Sequence, residues 1–507
     1  MKILFVYPQY PDTFWSFKHA LKFISKKAAF PPLGLLTVAS MLSDKWHKKL
    51  VDMNVNKLKD KDILWADYVF VSAMVVQQDS VRDVIVRCNE LGTKVVAGGP
   101  LFTTGYKDYN GIDHFVLGEA EVTIPLFLKD IEKGCPQPVY SSNERPDISQ
   151  TPIPLWSLIK MKHYSSMNIQ YSRGCPYNCE FCDIIILNGH KPRTKAKTQI
   201  LDELEILYQR GWRGSVFIVD DNFIGNKRKL KSEILPAIIE WRKSKKYPFD
   251  LFTEASINLA DDEELMKLMT DAGFGTVFIG IETPNEESLV ECAKPQNTKR
   301  DMVESVKRIQ NCGMEVQGGF IVGFDSDPLS IFRSQINFIQ KSGIVTAMVG
   351  LLNAPNGTRL YERLTRQKRI IKNGSGNNTD CSLNFIPNMN YETLINGYRH
   401  ILKTIYSPKQ YYERIKSFMN EYKPKQRITG RLKFQHIEAL VKSMWFLGIR
   451  EKGRRHYWRL FIATLIKQPR KFPLSITLSV YGYHFRKVLE IYTHLPIKNP
   501  SSTTSYI

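Results

Sequence analysis

Tyr171-Ser172-Arg173-Gly174-Cys175-Pro176-Tyr177-Asn178-Cys179-Glu180-Phe181-Cys182-Asp183 places three of the chain's eight cysteines within eight positions. Three chemistries compete for such a run: a disulfide with a spare thiol, a zinc site, or an iron–sulfur cluster with one iron left open. The other cysteines, Cys88, Cys135, Cys292, Cys312 and Cys381, are scattered singly. That is the usage of a reducing compartment, not of a secreted disulfide framework. A structural zinc site takes four ligands, and His190 is the only nearby residue that offers itself as a fourth. Three thiolates suit a cubane [4Fe–4S] cluster that keeps one iron open, whereas an electron-carrying cluster recruits a fourth Cys. The Cys-x3-Cys-x2-Cys spacing, with Phe181 just before the last Cys, favours the open cluster.

Outward from this stretch, short apolar runs alternate with amphipathic ones. Residues 168–353 predict strands at 168–171, 215–219, 251–255, 276–281, 316–322 and 346–352. Six βα units predict a partial (β/α)6 barrel whose chemistry lies on loops at the carboxyl ends of its strands. The cysteine run falls on the loop after the first of them. Residues 1–142 predict strands at 2–6, 50–52, 68–72, 94–97 and 114–116, with helices such as 35–42 and 80–91 between them. This is the pattern of an open, doubly wound, Rossmann-like parallel sheet, which binds ligands beyond the carboxyl ends of its strands. Residues 143–167 read as a linker, and Pro and Ser are frequent from 137 to 154. A helical domain follows at 354–420, and a basic helical extension at 421–507. The fold class is α/β with a mostly helical C-terminal region.

Hydrophobic residues make up 43% of the 507 and charged residues 24%, as in ordinary soluble globular proteins. No run of 18 apolar residues appears, so no membrane-spanning helix is expected. The first residues read as a strand rather than a signal peptide, and a cytoplasmic location follows as the expectation. The net charge of +21 is unevenly placed: residues 421–507 hold 17 Lys and Arg against 4 Asp and Glu. Such a surface meets nucleic acid, anionic lipid or an acidic partner. Here Arg454, Arg455, Arg459 and Arg470 alternate with Trp445, Phe446, Tyr457, Trp458, Phe461 and Phe472. Cationic heads on aromatic bodies suit the interface of an anionic membrane. RNA binding competes, because such mixtures also stack on bases, and a plain helical cap with snorkelling cations is the third reading.

The cysteine motif, its place after the first barrel strand and the strand ends that follow resemble the radical S-adenosylmethionine (SAM) family. The resemblance implies a [4Fe–4S] cluster held by Cys175, Cys179 and Cys182, with SAM chelating the open iron. One electron then cleaves the sulfonium to a 5′-deoxyadenosyl radical, which abstracts hydrogen from an unactivated carbon. It also implies SAM contacts at Asp220, Asp221 and Asn222, where carboxylate and amide oxygens can accept from the methionine ammonium. Glu254 and Glu282 match positions that face the cofactor, with Glu282 at the ribose. Gly319-Phe320-Ile321-Val322-Gly323 resembles the strand along which adenine lies, so Gly319, Ile321 and Gly323 are assigned to it.

A doubly wound domain ahead of such a barrel is similar to the cobalamin-binding members. Many cobalamin domains carry Asp-x-His-x-x-Gly, whose His ligates cobalt from below. This chain has Asp52-Met53-Asn54, with Asn54 in that position. The resemblance therefore implies cobalamin without a protein ligand below cobalt, contacted by Asp52, Asn54, Ser72, Gly98, Gly99, Gly118 and Glu119. Residues 30–35, 170–175, 351–355, 384–387 and 406–414 resemble the hopanoid 2-methylase group, up to about Phe418. The implied activity is methylation of an unactivated carbon of a lipid or other apolar metabolite, supported by a flavodoxin- or ferredoxin-type reductant, with nucleic acid not expected. A radical cyclase or rearrangement enzyme, an RNA-modifying radical enzyme, and a cobalamin or metal sensor are the competing readings.

Overall fold

In a computed structural model, residues 1–424 and 434–492 are described, with the backbone alone at 434 and 435. The parts of the basic extension at 425–433 and 493–507 lie outside the described residues.

The first sheet comprises β1 (Lys2–Tyr7), β2 (His47–Asp52), β3 (Tyr68–Ser72), β4 (Lys94–Gly98), β5 (His114–Val116) and β6 (Val139–Tyr140). Its order is β2-β1-β3-β4-β5-β6, with every pair parallel. The run Ile3-Leu4-Phe5-Val6 is apolar throughout because both faces of β1 are covered. Leu4 and Val6 pack with Val69, Val71, Val95 and Ala97, whereas Ile3 and Phe5 pack with Phe70 and Val96 on the other face. The strand order reverses between β1 and β3, which opens a crevice beyond their carboxyl ends. The two-residue β6 is an element the sequence reading missed. It pairs Phe115 with Val139 and Val116 with Tyr140, inside the Pro- and Ser-containing stretch.

The second sheet follows in chain order: β7 (Ser166–Ile169), β10 (Ser215–Ile218), β11 (Asp250–Glu254), β12 (Phe274–Glu282), β13 (Glu315–Val322) and β14 (Ala347–Leu351), again all parallel. Between β7 and β10, β8 (Ser172–Arg173) and β9 (Arg193–Thr194) pair antiparallel. Barrel strand β7 thus lies two residues earlier than expected. The Asp220 carboxylate accepts hydrogen bonds from the Tyr171 amide at 2.8 Å and the Ser172 hydroxyl at 2.5 Å, and so draws that segment out of the sheet.

Alternation along the strands separates two faces. Val216, Ile218, Leu251, Thr253, Val277 and Ile279 are buried under the helices, while Phe217, Phe252, Glu254, Phe278, Gln317, Ile321 and Met348 stay partly accessible on the lumen side. Register aligns Asn168, Phe217, Phe252, Thr276 and Glu315 in one row, and Glu254, Phe278 and Gln317 in the next. A closed eight-stranded barrel fills its interior with side chains; six strands leave this lumen open.

The N-terminal segment completes the lumen. Phe30 packs on Phe217 and Phe252, whose rings are stacked at 4.7 Å, and Trp15 meets Phe278 edge-on at 5.3 Å. Helices Tyr391–Ile405, Pro408–Glu421, Phe434–Trp445, Arg454–Lys467 and Phe472–Tyr492 build the C-terminal region. Phe14 stacks on Phe485 at 4.0 Å, and the Tyr406 hydroxyl donates to the Ala347 carbonyl at 2.7 Å. These contacts fix the helices against both the N-terminal segment and β14.

Candidate active site

The loop that carries Cys175, Cys179 and Cys182 begins at Gly174, whose φ is +96°. A Cβ there would stand 2.7 Å from the Lys191 carbonyl and 2.9 Å from that of Gly189. Glycine alone lets the loop start against this backbone. All three thiols are free and partly exposed, and His190 is exposed to solvent. Cys175 is hydrogen-bonded by Asn222 at the end of β10. Cys179 receives the Gln296 side-chain amide at 3.8 Å. Burial pushes all three thiols up. Among the described residues, no three His, Cys, Asp or Glu side chains converge tightly enough to hold a single ion. Four zinc ligands at about 2.3 Å from the metal would have to crowd together. Three thiols on one loop are the ligand set that a [4Fe–4S] cluster with one open iron takes.

The expected SAM residues divide into two groups. Asp220 is fully buried and spends its oxygens on Tyr171 and Ser172, so it positions the segment before the cysteines. Asn222 accepts from the Ser256 amide at 3.2 Å while it touches Cys175. Asp221 receives the Asn188 amide at 3.2 Å. Glu254, on the next strand, has no hydrogen-bond or ion-pair partner among the described residues. Burial pushes Asp220 up to about 7 and Asp221 up to about 6; burial and then the neighbouring charges of Asp221 and Asp220 push Glu254 up to about 8. Glu254, buried and facing the charges of both aspartates, marks a place where a cation is welcome.

Glu282, which the resemblance places at the ribose, is braced from within the protein. It sits at a register shift in β12 with φ +63°, and its carboxylate is ion-paired with Lys294. A Cβ at Gly280 would collide with both partners. The pair brings Lys294 beside Cys179 and Cys292, while Glu254 stays without such a partner among the described residues. Gly319 approaches Phe278 so closely that a Cβ would stand 2.8 Å from the ring. Gly323 has φ +107° and donates its amide to Asp327 at 2.8 Å, while the Ile321 carbonyl accepts from Gln335 at 2.8 Å.

In the front domain, Gly98, Gly99 and Gly118 form a bare backbone cradle beyond the strand ends. A Cβ at Gly99 would lie 2.4 Å from the Ser72 hydroxyl, and one at Gly98 would lie 2.7 Å from the Val116 carbonyl. Glycine there lets β4 close on Ser72 at the end of β3 and on Val116 at the end of β5, so the strand ends meet through backbone. Asn54 has no freedom to reach a metal. Its oxygen accepts the Tyr10 amide at 2.9 Å, and its amide donates to Asp52 at 2.8 Å and to the Pro8 carbonyl at 3.3 Å. Asp52 is buried, accepts the Asn54 amide and takes the Tyr164 hydroxyl at 2.9 Å, so both residues brace the loop.

Glu119 is committed by its carboxylate to three arginines, which leaves its backbone for any ligand. Arg173 donates to it at 2.8 Å, Arg193 at 2.7 Å and Arg145 at 3.3 Å. Arg173 also grips Glu121 at 2.7 Å. This clamp ties the end of β5 to the β8–β9 hairpin around the cysteine loop. Sequence reading missed it, because Glu119 and Arg173 are 54 positions apart and nothing local marks them as partners. A segment of the C-terminal region closes the remaining side. Gln78 donates to the Ser375 carbonyl at 3.4 Å, and Gly350 lies against the Asn378 carbonyl.

Family models agree with this arrangement. The Radical SAM superfamily matches residues 169–336, the B12 binding domain residues 24–128, and a domain of unknown function, DUF4070, residues 358–495. An uncharacterized methyltransferase of Synechocystis is 40% identical, over 97% of this chain and 92% of its own length. The hopanoid C-2 methylase of Rhodopseudomonas palustris is 34% identical, over 92% of this chain and 90% of its own. Among solved structures, the cobalamin-dependent SAM radical enzyme OxsB superposes with a TM-score of 0.63 at 14% identity, over 97% of this chain and 80% of that one. The radical SAM methyltransferase TsrM of Kitasatospora setae gives 0.55 at 18% identity, over 72% and 76%. At these identities the structural likeness is one of fold.

Proposed function

Since the chain belongs to the cobalamin-binding radical SAM methyltransferases, we propose that it methylates an unactivated carbon of an apolar, lipid-like acceptor of the hopanoid kind. Its cofactors are a [4Fe–4S] cluster, SAM and cobalamin. Bound together, they supply one-electron radical chemistry and a transferable methyl group. The chain's own residues hold and orient them. Cys175, Cys179 and Cys182 would be the cluster's thiolate ligands. Asp221, Asn222 and Glu254 would accept from the methionine ammonium, and a bound cation there would bring Glu254 back to its ionised form. Gly319, Ile321 and Gly323 would border the adenine. Ser72, Gly98, Gly99 and Gly118 would line the cobalamin cradle, with Asp52 and Asn54 bracing its rim and Asn54 spent on Tyr10, Asp52 and Pro8. A low-potential donor of the flavodoxin or ferredoxin type would deliver the electrons.

The observation that carries the apolar acceptor is the lumen itself. Trp15, Phe30, Phe217, Phe252 and Phe278 line it, and its strand rows contain no Lys or Arg. A phosphorylated or carboxylated acceptor would find no cationic partner among them. The 34% identity to a hopanoid C-2 methylase supports the same class. Mass spectrometry of lipid extracts from a deletion strain beside its parent tests the reading. One lipid species is expected to lose a methyl group's mass in the deletion strain, and identical lipid profiles would remove the lipid from the account.

A further inference from the structure

Helices Phe434–Trp445 and Arg454–Lys467, joined by a π-helical turn at Phe446–Arg450, form a hairpin. Its inner side is held by a hydrogen bond between the Ser443 and Tyr457 hydroxyls at 2.8 Å, by Trp458 donating to the Gly448 carbonyl at 3.0 Å, and by Thr464 against Ser475 at 3.0 Å. The outer side is apolar. Ile437, Val441, Trp445 and Ile449 recur every four residues and are each about half exposed; on the second helix Ile462, Leu465 and Ile466 range from 48% to 72% exposed. These are seven of the nineteen exposed large hydrophobic side chains among the described residues, gathered within thirty positions. Singly exposed apolar residues are ordinary, but a gathered patch marks an interface.

Charge decides what this patch meets. Arg455 and Arg459 continue the Ile462–Ile466 stripe at helical spacing, and Arg450, Lys452, Arg454, Lys467 and Arg470 are exposed around it. The hairpin's acids are already used: Glu438 by Lys442 and Ser25, Glu451 by Arg486. Among the described residues, no carboxylate pairs with Lys452, Arg454, Arg455, Arg459, Lys467 or Arg470. A second copy docked on this face would set like charges together. Nucleic acid would want several open stacking rings, yet Tyr457 is buried, Phe446, Trp458 and Phe461 are engaged in ring contacts with their neighbours, and the exposed Trp445 is already met by Arg450 at 6.0 Å. Aliphatic side chains flanked by cations are what an anionic bilayer surface receives. We propose that the hairpin at 437–470 lies on an anionic lipid surface, with its apolar stripe at headgroup depth. This deepens the reading of a lipid-like acceptor, since it would bring the lumen to where such an acceptor resides.

Sedimentation of the holoenzyme with phosphatidylcholine vesicles, and with vesicles of phosphatidylcholine and phosphatidylglycerol in equal parts, tests the proposal without any turnover. The protein is expected to sediment with the mixed vesicles and to be released as salt shortens the Debye length from about 10 Å at 0.1 M to about 3 Å at 1 M. Changing Lys452, Arg454, Arg455 and Arg459 to Gln is expected to lower partitioning about a thousandfold. Ile462→Ser with Leu465→Ser and Ile466→Ser, all at exposed positions, is expected to weaken it as well. Equal sedimentation with both lipids would overturn the proposal. So would salt-sensitive binding of polyuridylate through the same four cations, or a dimer in sedimentation velocity that the serine variant dissolves. None of these outcomes depends on the acceptor, so vesicle binding and the deletion-strain lipid profile fail independently.

Discussion

Alanine at any one of Cys175, Cys179 or Cys182 is expected to abolish reductive cleavage of SAM altogether. The three thiols share one loop, are all free, and lie where the ends of β10 and β12 bring Asn222, Gln296 and Lys294 to them. A cluster held by three protein ligands has no spare one. Anaerobic reconstitution of the wild type should give about four irons and four sulfides per chain and 5′-deoxyadenosine when dithionite is added. Each single variant should lose that product, while alanine at Cys292, which is buried and close to Cys179, should retain it. Product from any of the three alanine variants at the wild-type rate would show that the loop does not hold the cluster.

The second large effect is structural. Arg173→Met is expected to destabilise the fold by about 3–5 kcal/mol at neutral pH, the usual cost of leaving buried charge unpaired. Its guanidinium bridges Glu119, Glu121 and Gln170, and both glutamate side chains are at most 10% exposed. Glu119 keeps Arg193 and Arg145, but Glu121 keeps the Thr151 hydroxyl at 2.7 Å and its own backbone amide, with no cation among the described residues. Burial pushes the Glu121 carboxyl up, and the hydrogen bond and charge of Arg173 outweigh it, leaving the group below the ordinary carboxylate range. A depressed carboxylate stabilises the fold above its unfolded pKa, about 4.3, and the contribution is lost as pH falls through the folded value. In the variant, Glu121 becomes a buried acid without a cation and readily protonates. The difference between wild type and variant should therefore be largest at neutral pH and shrink toward pH 4. Denaturant unfolding of the two proteins at both pH values measures it. A difference that is absent, or equal at the two pH values, would mean that the clamp carries no net interaction.

These two regions were unequally legible in the sequence. The front sheet was readable because Ile3-Leu4-Phe5-Val6 and Val69-Phe70-Val71 are apolar at every position, as strands buried on both faces must be. The cysteine loop was readable because its spacing is local and chemically narrow. The clamp was not, since charge pairing between Glu119, Arg173 and Arg193 arises only when the two sheets meet. Strand β7 was misplaced by two residues because Asp220, 49 positions later, competes for the Tyr171 amide. The pairing of Glu282 with Lys294, on the connection that follows, was likewise not legible, since nothing local marks the two as partners. Helix Arg454–Lys467 is apolar on more than one face, so periodicity could not say that Tyr457, Leu460 and Thr464 turn inward while Ile462 and Ile466 turn out.

In the proposed reaction one chain uses SAM both for radical generation and for methyl transfer to an apolar carbon. The most direct test supplies SAM with a trideuterated methyl group to the reconstituted, cobalamin-loaded enzyme, under anaerobic reducing conditions, with a lipid extract from the deletion strain as acceptor. A lipid product that carries the trideuteromethyl group, formed together with 5′-deoxyadenosine in proportion, is expected. A product that has lost hydrogens and gained no label, or 5′-deoxyadenosine with no labelled lipid at all, would contradict it.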